Sequence, residues 1–478
     1  MNSEREKIDL NNLDSVYFIG IGGIGVSALA FWCIQKKIKV YGYDREKSKI
    51  TTQLESQGAI IFYDYHTISK TKKEDFKHNQ VLNLFIKETL NLVVYSSAIK
   101  IKHPIRKFFN SNKIFSIKRA EFLGLISSQY DVIAIAGTHG KTTISTILTH
   151  ILKVSGIDCT AFLGGVSKNY ESNFILGTSN IMVVEADEYD KSFFHLQPKI
   201  ILISAIDRDH SDTYPTFEDM EKAYLQFILN SQPQLTHLIL KQNVVLKSLD
   251  FQNTLKYSLF APSDYNLHFT NNKEGGLQLT FSERCKGENK FKNLPSFNIL
   301  EKPQHDLENF LAASTIAFQL GINIEKISKS INSFLGIRRR FEYHINTKNQ
   351  ILIEDYAHHP KEIDALISSL RLMYDSKKIT MIFQPHLFSR TKNFLDEFAV
   401  SLSKVDTLIL LDIYPARESP IKDFDIDNLF QLIKLKDKKQ ISNTELVPLI
   451  SKLKPKILVS VGAGDITTFS EKLKNVLQ

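Results

Sequence analysis

Short unbroken apolar runs recur along this 478-residue chain, each ending in a polar cluster and then giving way to apolar residues three and four positions apart. Those are the marks of a buried strand, a turn and a helix. Val132 to Ala136 is one such run, followed by Gly137-Thr138-His139-Gly140-Lys141-Thr142-Thr143 and by Ile144, Ile147, Leu148, Ile151 and Leu152 on one helical face. Val16 to Ile21 is another, passing through Gly20-Ile21-Gly22-Gly23-Ile24-Gly25 into a helix through Trp32 and a strand from Ile38 to Tyr43. Leu92 to Ser96 continues that unit and Lys118-Arg119-Ala120-Glu121 closes it near Tyr130.

The alternation resumes twice. Ile181 to Val184 runs into Glu185-Ala186-Asp187-Glu188, and Ile200 to Ser204 runs toward Asp207-Arg208-Asp209-His210. After the segment Phe334 to Phe341, four more strands end in polar groups: Ile351 to Ile353, Ile379 to Phe383, Thr407 to Leu411 and Ile457 to Ser460. Strands alternating with helices predict an α/β protein with parallel sheets. The expected domains are a Rossmann-like unit at 1–130, a central parallel-sheet unit with a phosphate loop at 131–333, and a second Rossmann-like unit at 334–478. Residues 240–300, with alternations such as Leu277 to Phe281, read as edge strands and loops. No repeat or low-complexity tract interrupts the pattern.

Composition narrows the class. Hydrophobic residues at 43% and charged residues at 23% suit a globular chain. The net charge of +8 is spread along the whole length, and its densest group, Arg338-Arg339-Arg340, resembles a phosphate-facing turn more than a nucleic-acid arm. No nucleic-acid partner is expected. Cys33, Cys159 and Cys285 are far apart, without metal-ligand spacing, and read as buried thiols in a reducing compartment. Met1 to Leu10 has no apolar core for a secretory signal, and the glycines between Gly20 and Gly25 argue against a membrane span in the uncharged stretch 15–35. A cytoplasmic protein off the membrane is expected, as a monomer or weak homodimer.

The chemistry lies at the turns. Glycines at 20, 22, 23 and 25 let a backbone approach a diphosphate at a helix N-terminus, and Asp44, nineteen residues after Gly25, stands where a ribose would lie. Alone this predicts NAD; the same physics serves the diphosphate of a UDP-sugar, with Ser97 at the next strand end. The second turn has Ile135 where the usual P-loop has its first glycine, so it is the shorter Gly-x-x-Gly-Lys-Thr-Thr form. Its backbone N–H groups suit a phosphate chain, Lys141 the outer phosphates, and the Thr142 hydroxyl a magnesium ion. Ligands of open parallel sheets sit beyond the carboxyl ends of strands, so Glu185 and His210 are candidate magnesium ligands, direct or through water. Asp306 can cap the helix that carries Asn309. His358, His359, His386, Arg390 and Arg417 gather at strand ends of the third unit. Two phosphate loops imply two phosphate-bearing ligands, one of them ATP with magnesium. The economical reaction is a ligation in which a carboxylate attacks the γ-phosphate and an amine then displaces phosphate.

These residues carry a resemblance. Gly137 to Thr143, Glu185 to Glu188, Asp209-His210, Asp355-Tyr356-Ala357-His358-His359-Pro360, Phe383-Gln384-Pro385-His386 and Val461-Gly462-Ala463-Gly464-Asp465 are similar, in order, to the motifs of the Mur ligase family. The opening Gly-Ile-Gly-Gly-Ile-Gly resembles its alanine-adding branch. The resemblance implies binding of UDP-N-acetylmuramate, ATP and L-alanine, and formation of an amide, ADP and phosphate for peptidoglycan precursors. It implies Gly137, Thr138, His139, Gly140, Lys141, Thr142 and Thr143 around the ATP phosphates, with Thr142 and Glu185 at magnesium. His210 would stand near a second metal or the substrate carboxylate. Asn309 would reach adenine, Arg339 the phosphates, Asp355 the ribose, and His386 and Arg390 the substrate carboxylate and alanine. The chain departs from the family at Pro303-Gln304-His305-Asp306-Leu307-Glu308-Asn309, where Asp306 replaces an asparagine. Competing readings are a ligase recycling a whole peptide onto UDP-N-acetylmuramate, an NAD-dependent dehydrogenase, and a non-catalytic nucleotide-binding regulator.

Overall fold

The computed structural model describes residues 8–63, 91–247, 249–272, 276–285, 290–300, 302–416 and 418–478. Arg417 therefore lies outside the described residues.

Among the described residues three sheets carry the chain. The first is five parallel strands in the order Ile60–Phe62, Lys39–Tyr43, Ser15–Ile19, Asn91–Tyr95 and Ser116–Lys118. The second has eleven strands, with Asp131–Ala136 between Ile181–Glu185 and Ile200–Ile203, all parallel. It continues through His237–Lys241 and Thr254–Ser258 to antiparallel pairs built from Tyr265–Asn271, Gly276–Arg284, Phe291–Asn293 and Phe297–Leu300. The third has six strands, Glu342–Asn346 antiparallel to Ile351–Asp355, then Ile457–Val461, Ile379–Phe383, Thr407–Leu410 and Lys438–Gln440 in parallel.

The continuous apolar runs are explained by burial on both faces. Val132 to Ala136 are all buried, as are Ile351 to Asp355 and Ile379 to Phe383. A strand covered on both sides by helices has no solvent face to alternate with. The helix Ile24–Gln35 is buried from Val26 to Cys33, because it lies between its own sheet and the central domain. Trp32 meets Phe122 edge-on at 6.3 Å on one side. On the other, Phe162 and Phe174 join the same apolar core, each large buried side chain contributing about 2–3 kcal/mol. Asn173 of the central domain donates from Nδ2 to the Ile24 carbonyl at 2.6 Å and to Ser27 Oγ at 3.0 Å. The first glycine turn is thus fixed against the domain that carries the second.

Two local expectations are corrected. The first strand ends at Ile19 rather than Ile21, because Gly20 turns the chain at φ +83°. Asp306 does not cap its helix: the helix runs Gln304–Gln319 with Pro303 at the cap, and Asp306 sits in the first turn. Proline's fixed φ starts the helix early, and an acid in the first turn still complements the dipole. Among the described residues no helix is long and apolar enough to cross a membrane.

Candidate functional site

The phosphate loop stands between two cavities. One, of about 430 Å³, has Gly23, Gly25 and Ser97 on one wall and Lys141, Thr142 and Glu185 on the other. The other, of about 570 Å³, is lined by Gly140, Thr143, Asn309, Asp355, Lys241 and Tyr257. Asp306 also faces the larger cavity. Arg340 lines both.

The loop is held from the neighbouring strand. Thr138 N–H donates to the Ala205 carbonyl at 2.9 Å, and the Asp207 N–H donates to Thr138 Oγ1 at 2.9 Å. Ser204 Oγ donates to the His139 carbonyl. Gly140 is left-handed at φ +81°, and a Cβ there would lie 2.8 Å from Asn309 Oδ1, so glycine is required where the loop meets Asn309. His139 also lines the larger cavity, and its ring lies 3.2 Å from Asp207 and 3.3 Å from Glu362 of the third domain. Burial would lower its pKa, but these two carboxylates outweigh it and push it up to about 9.

The run Glu185 to Glu188 divides its acids among three partners. Thr142 Oγ1 donates to Glu185 Oε2 at 3.1 Å, and the Gly164 N–H donates to Glu185 Oε1. Asp187 stands 3.6 Å from Arg119 of the first domain. Lys141 Nζ donates to both oxygens of Glu188, at 3.0 and 2.8 Å, and to the Gly137 carbonyl at 2.7 Å. Glu188 is wholly buried; burial opposes its charge, but Lys141 and His210 hold its pKa down to about 2. Sequence reasoning quoted Glu188 only as part of the motif. Its adjacency to Lys141 comes from the three-dimensional register of two parallel strands, which no local pattern displays.

Thr142 and Glu185 are brought together on the wall of the smaller cavity, and their oxygens form a donor set that fits a hard cation such as magnesium. His210, expected at metal or substrate carboxylate, does not join them. Held at φ +49°, it lies 3.6 Å from Glu188 and 3.7 Å from Asp209. Among the described residues the one acid–histidine trio close enough for a metal is Glu342, His344 and Glu354. Arg338 and Lys168 already pair with Glu342, and Arg339 with Glu354, so that trio is neutralised within the protein.

Arg339, expected at the phosphates, is committed elsewhere. Its guanidinium donates to the carbonyls of Gly462 and Gly464 at 2.9 and 3.0 Å and lies 3.2 Å from Glu354. The next residue, Arg340, is the one in both cavities; burial pushes the carboxyls of Glu185 and Asp355 above their ordinary range, and the Arg340 charge only partly offsets this. Three consecutive arginines conceal which one faces the cleft; the left-handed backbone of Arg339, at φ +63°, decides it.

Arg390 is likewise already paired. Its Nε and Nη2 donate to the two oxygens of Asp209, at 3.2 and 3.3 Å, in a buried contact between the second and third domains. His386 stacks on Tyr414 at 5.7 Å, with its Nδ1 3.5 Å from Arg390. His359 Nε2 stands 3.2 Å from the Arg208 carbonyl, Lys361 pairs with Asp207, and Asn393 Nδ2 donates to Ser211 at 2.7 Å. Burial lowers the His358 pKa to about 4. Asp355 lies in the larger cavity with both oxygens accepting backbone N–H groups, from Phe341 at 2.7 Å and Ala357 at 2.8 Å.

At the first turn, Asp44 Oδ2 accepts the Gly22 N–H at 2.7 Å, bracing the loop from the next strand end. A Cβ on Gly22 would lie 2.9 Å from that carboxylate and 2.8 Å from Thr51. Gly20 and Gly22 shape this turn, whereas Gly23 and Gly25 reach the cavity. The cation beside them is Arg119, packed against Gly25 and also lining the cavity. Sequence reasoning quoted Arg119 only as part of the run that closes the first unit; it opens the helix Arg119–Ser127 after the fifth strand and lies outside the glycine motif.

Comparison with known proteins adds three matches in chain order: residues 15–131 to the Mur ligase family catalytic domain, 135–317 to the Mur ligase middle domain, and 339–467 to the Mur ligase glutamate ligase domain. The UDP-N-acetylmuramate–L-alanine ligase of Cytophaga hutchinsonii is 36% identical over 98% of this chain and 97% of its own length. The enzyme of that name from Flavobacterium psychrophilum is 38% identical over 98% and 99%. Among solved structures, the UDP-N-acetylmuramate-alanine ligase of Thermotoga maritima matches with a TM-score of 0.76 at 22% identity, covering 96% of this chain and 98% of that one. A murein peptide ligase from Psychrobacter arcticus matches at 0.71 with 21% identity, covering 97% and 98%.

Proposed function

We infer the activity from one premise: this chain belongs to the Mur ligase family. It is an ATP-dependent ligase that joins L-alanine to the lactyl carboxylate of UDP-N-acetylmuramate, releasing ADP and phosphate. The observation that carries this reading is the shared cavity, with the first glycine turn on one wall and Lys141, Thr142 and Glu185 on the other. The UDP-sugar's diphosphate lies at Gly23, Gly25 and Arg119, with its carboxylate directed toward the phosphate loop. The adenosine occupies the larger cavity, between Asn309, Asp355 and Tyr257.

The carboxylate oxygen attacks the γ-phosphorus, the bond to the β-phosphate oxygen breaks, and ADP leaves. The alanine amine then attacks the acyl carbon, phosphate departs, and the amine loses a proton. Lys141 and Arg340 stabilise the charge that spreads over the transferring phosphoryl group, a role set by position and electrostatics. Thr142 and Glu185 would hold a magnesium ion, which when bound neutralises the phosphate oxygens. Asp209 holds Arg390 beside His386, so the third domain closes the site from above the second. The product is a peptidoglycan precursor made in the cytoplasm for cell-wall growth and division. The peptide-recycling reading is not favoured: the curated relatives at 36% to 39% identity are alanine ligases.

The test is phosphate release from ATP and UDP-N-acetylmuramate, with and without L-alanine. Release that depends on alanine is expected. Release that needs a peptide instead would move the protein to the recycling activity, and no release under any condition would retire the ligase reading.

A further inference from the structure

Lys141 has three N–H donors, and all three are engaged inside the protein: two on the oxygens of Glu188 and one on the Gly137 carbonyl. None remains for a phosphate. Yet the ammonium stands on the wall of the 430 Å³ cavity with its side chain 16% exposed, while Glu188 beneath it is 0% exposed. A phosphate oxygen arriving from the cavity must take the lysine from the carboxylate.

We propose that Glu188 is a positioning residue that holds Lys141 and gives it up to the ATP phosphates, thereby setting nucleotide affinity. This rests on the assignment of Lys141 to ATP. Stripping one partner from a buried ion pair is ordinarily costly, because the other charge is left in low dielectric. Here a neighbouring imidazole limits that cost: His210 Nε2 already lies 3.6 Å from Glu188 Oε1. Tyr214 Oη donates to the Glu188 carbonyl at 2.6 Å and anchors the backbone, so the carboxylate stays in place when the lysine moves. The neighbouring acids are matched elsewhere, Asp209 with Arg390 and Asp187 with Arg119, so Glu188 is the acid that competes for Lys141. No covalent step is involved; one charge-assisted contact is exchanged for another.

The experiment measures calorimetric binding, in magnesium, of the non-hydrolysable ATP analogue with a methylene between the β and γ phosphorus atoms. Glu188→Gln keeps the shape and removes the competing charge. It is expected to tighten binding about tenfold, as couplings between contacting charges allow, and to lower the KM for ATP without raising kcat. In a Lys141→Ala background the same substitution is expected to change affinity less than about twofold, which a merely structural role would not produce. Unchanged or weaker binding by Glu188→Gln in the intact background overturns the proposal. Wild-type affinity in Lys141→Ala alone instead overturns the assignment of Lys141 to ATP. Should Glu188→Gln fail to fold, the wild-type protein decides: with nitrogen-15 in its lysines, a slowly exchanging Lys141 ammonium signal is expected without nucleotide, moving when the analogue is added. Its absence without nucleotide overturns the proposal.

Discussion

At the N-terminal turn, from Gly20 to Gly25, the charged groups are few and come from other elements: Asp44 on the Gly22 amide, and Arg119 beside Gly25. At the central turn, from Gly137 to Lys141, the cations lie on the loop itself and each meets carboxylates, Lys141 with Glu188 and His139 with Asp207 and Glu362. Both turns follow a buried parallel strand and open a helix, so the backbone plan is the same. The difference lies in what each must do after binding. A turn that only holds a ligand can be braced within its own sheet and packed on a rigid core, as the helix Ile24–Gln35 is. A turn that assists a transfer needs charge that can change partners, and must sense whether the third domain has closed.

The largest effect that could break this contrast is Lys141→Ala. Phosphate release should fall about a thousandfold, as when a charge-stabilising donor is removed from a transfer site, while calorimetric binding of UDP-N-acetylmuramate stays unchanged. Loss of both would mean the two turns are not separate. Arg119→Ala should weaken binding of that UDP-sugar roughly tenfold, the value of one charge-assisted hydrogen bond, and leave nucleotide binding at Lys141 intact; equal loss of both ligands would erase the distinction. The smallest effect is on pH. His139 has its pKa raised from 6.5 to about 9, so its bridge to Asp207 and Glu362 contributes fully below pH 6.5, erodes above it and is gone beyond about 9. Thermal melts of the wild type between pH 6 and 10 should reveal on the order of 1–3 kcal/mol that His139→Gln does not show. Identical pH profiles for the two proteins would remove His139 from the contact between domains.

The strands that carry the two glycine turns and the acidic run were legible in the chain because buried parallel strands advertise themselves as apolar runs, whereas Thr160–Ser167 and Ser172–Ile175 of the second sheet were not named. Glu185 beside Thr142 follows from the rule that ligands gather at the carboxyl ends of such strands, whereas Asn309 and Asp355 were named only through the family resemblance. What stayed hidden was rotation and register. Arg340 and not Arg339 enters the cavities, a difference of one residue made by a left-handed backbone. Arg390 looked available for a substrate, yet Asp209, far away in sequence, already takes its guanidinium. Asp306 looked like a cap, and only the early start of its helix at Gln304 shows that it lies in the first turn.

The acids at 185, 187 and 188 address three different recipients from within a single four-residue stretch: the Thr142 hydroxyl, an arginine of the first domain and the loop lysine. Such wiring tolerates substitution far better than it tolerates a change of length. Inserting or deleting one residue there would swing every carboxylate toward its neighbour's recipient and disconnect all three circuits at once.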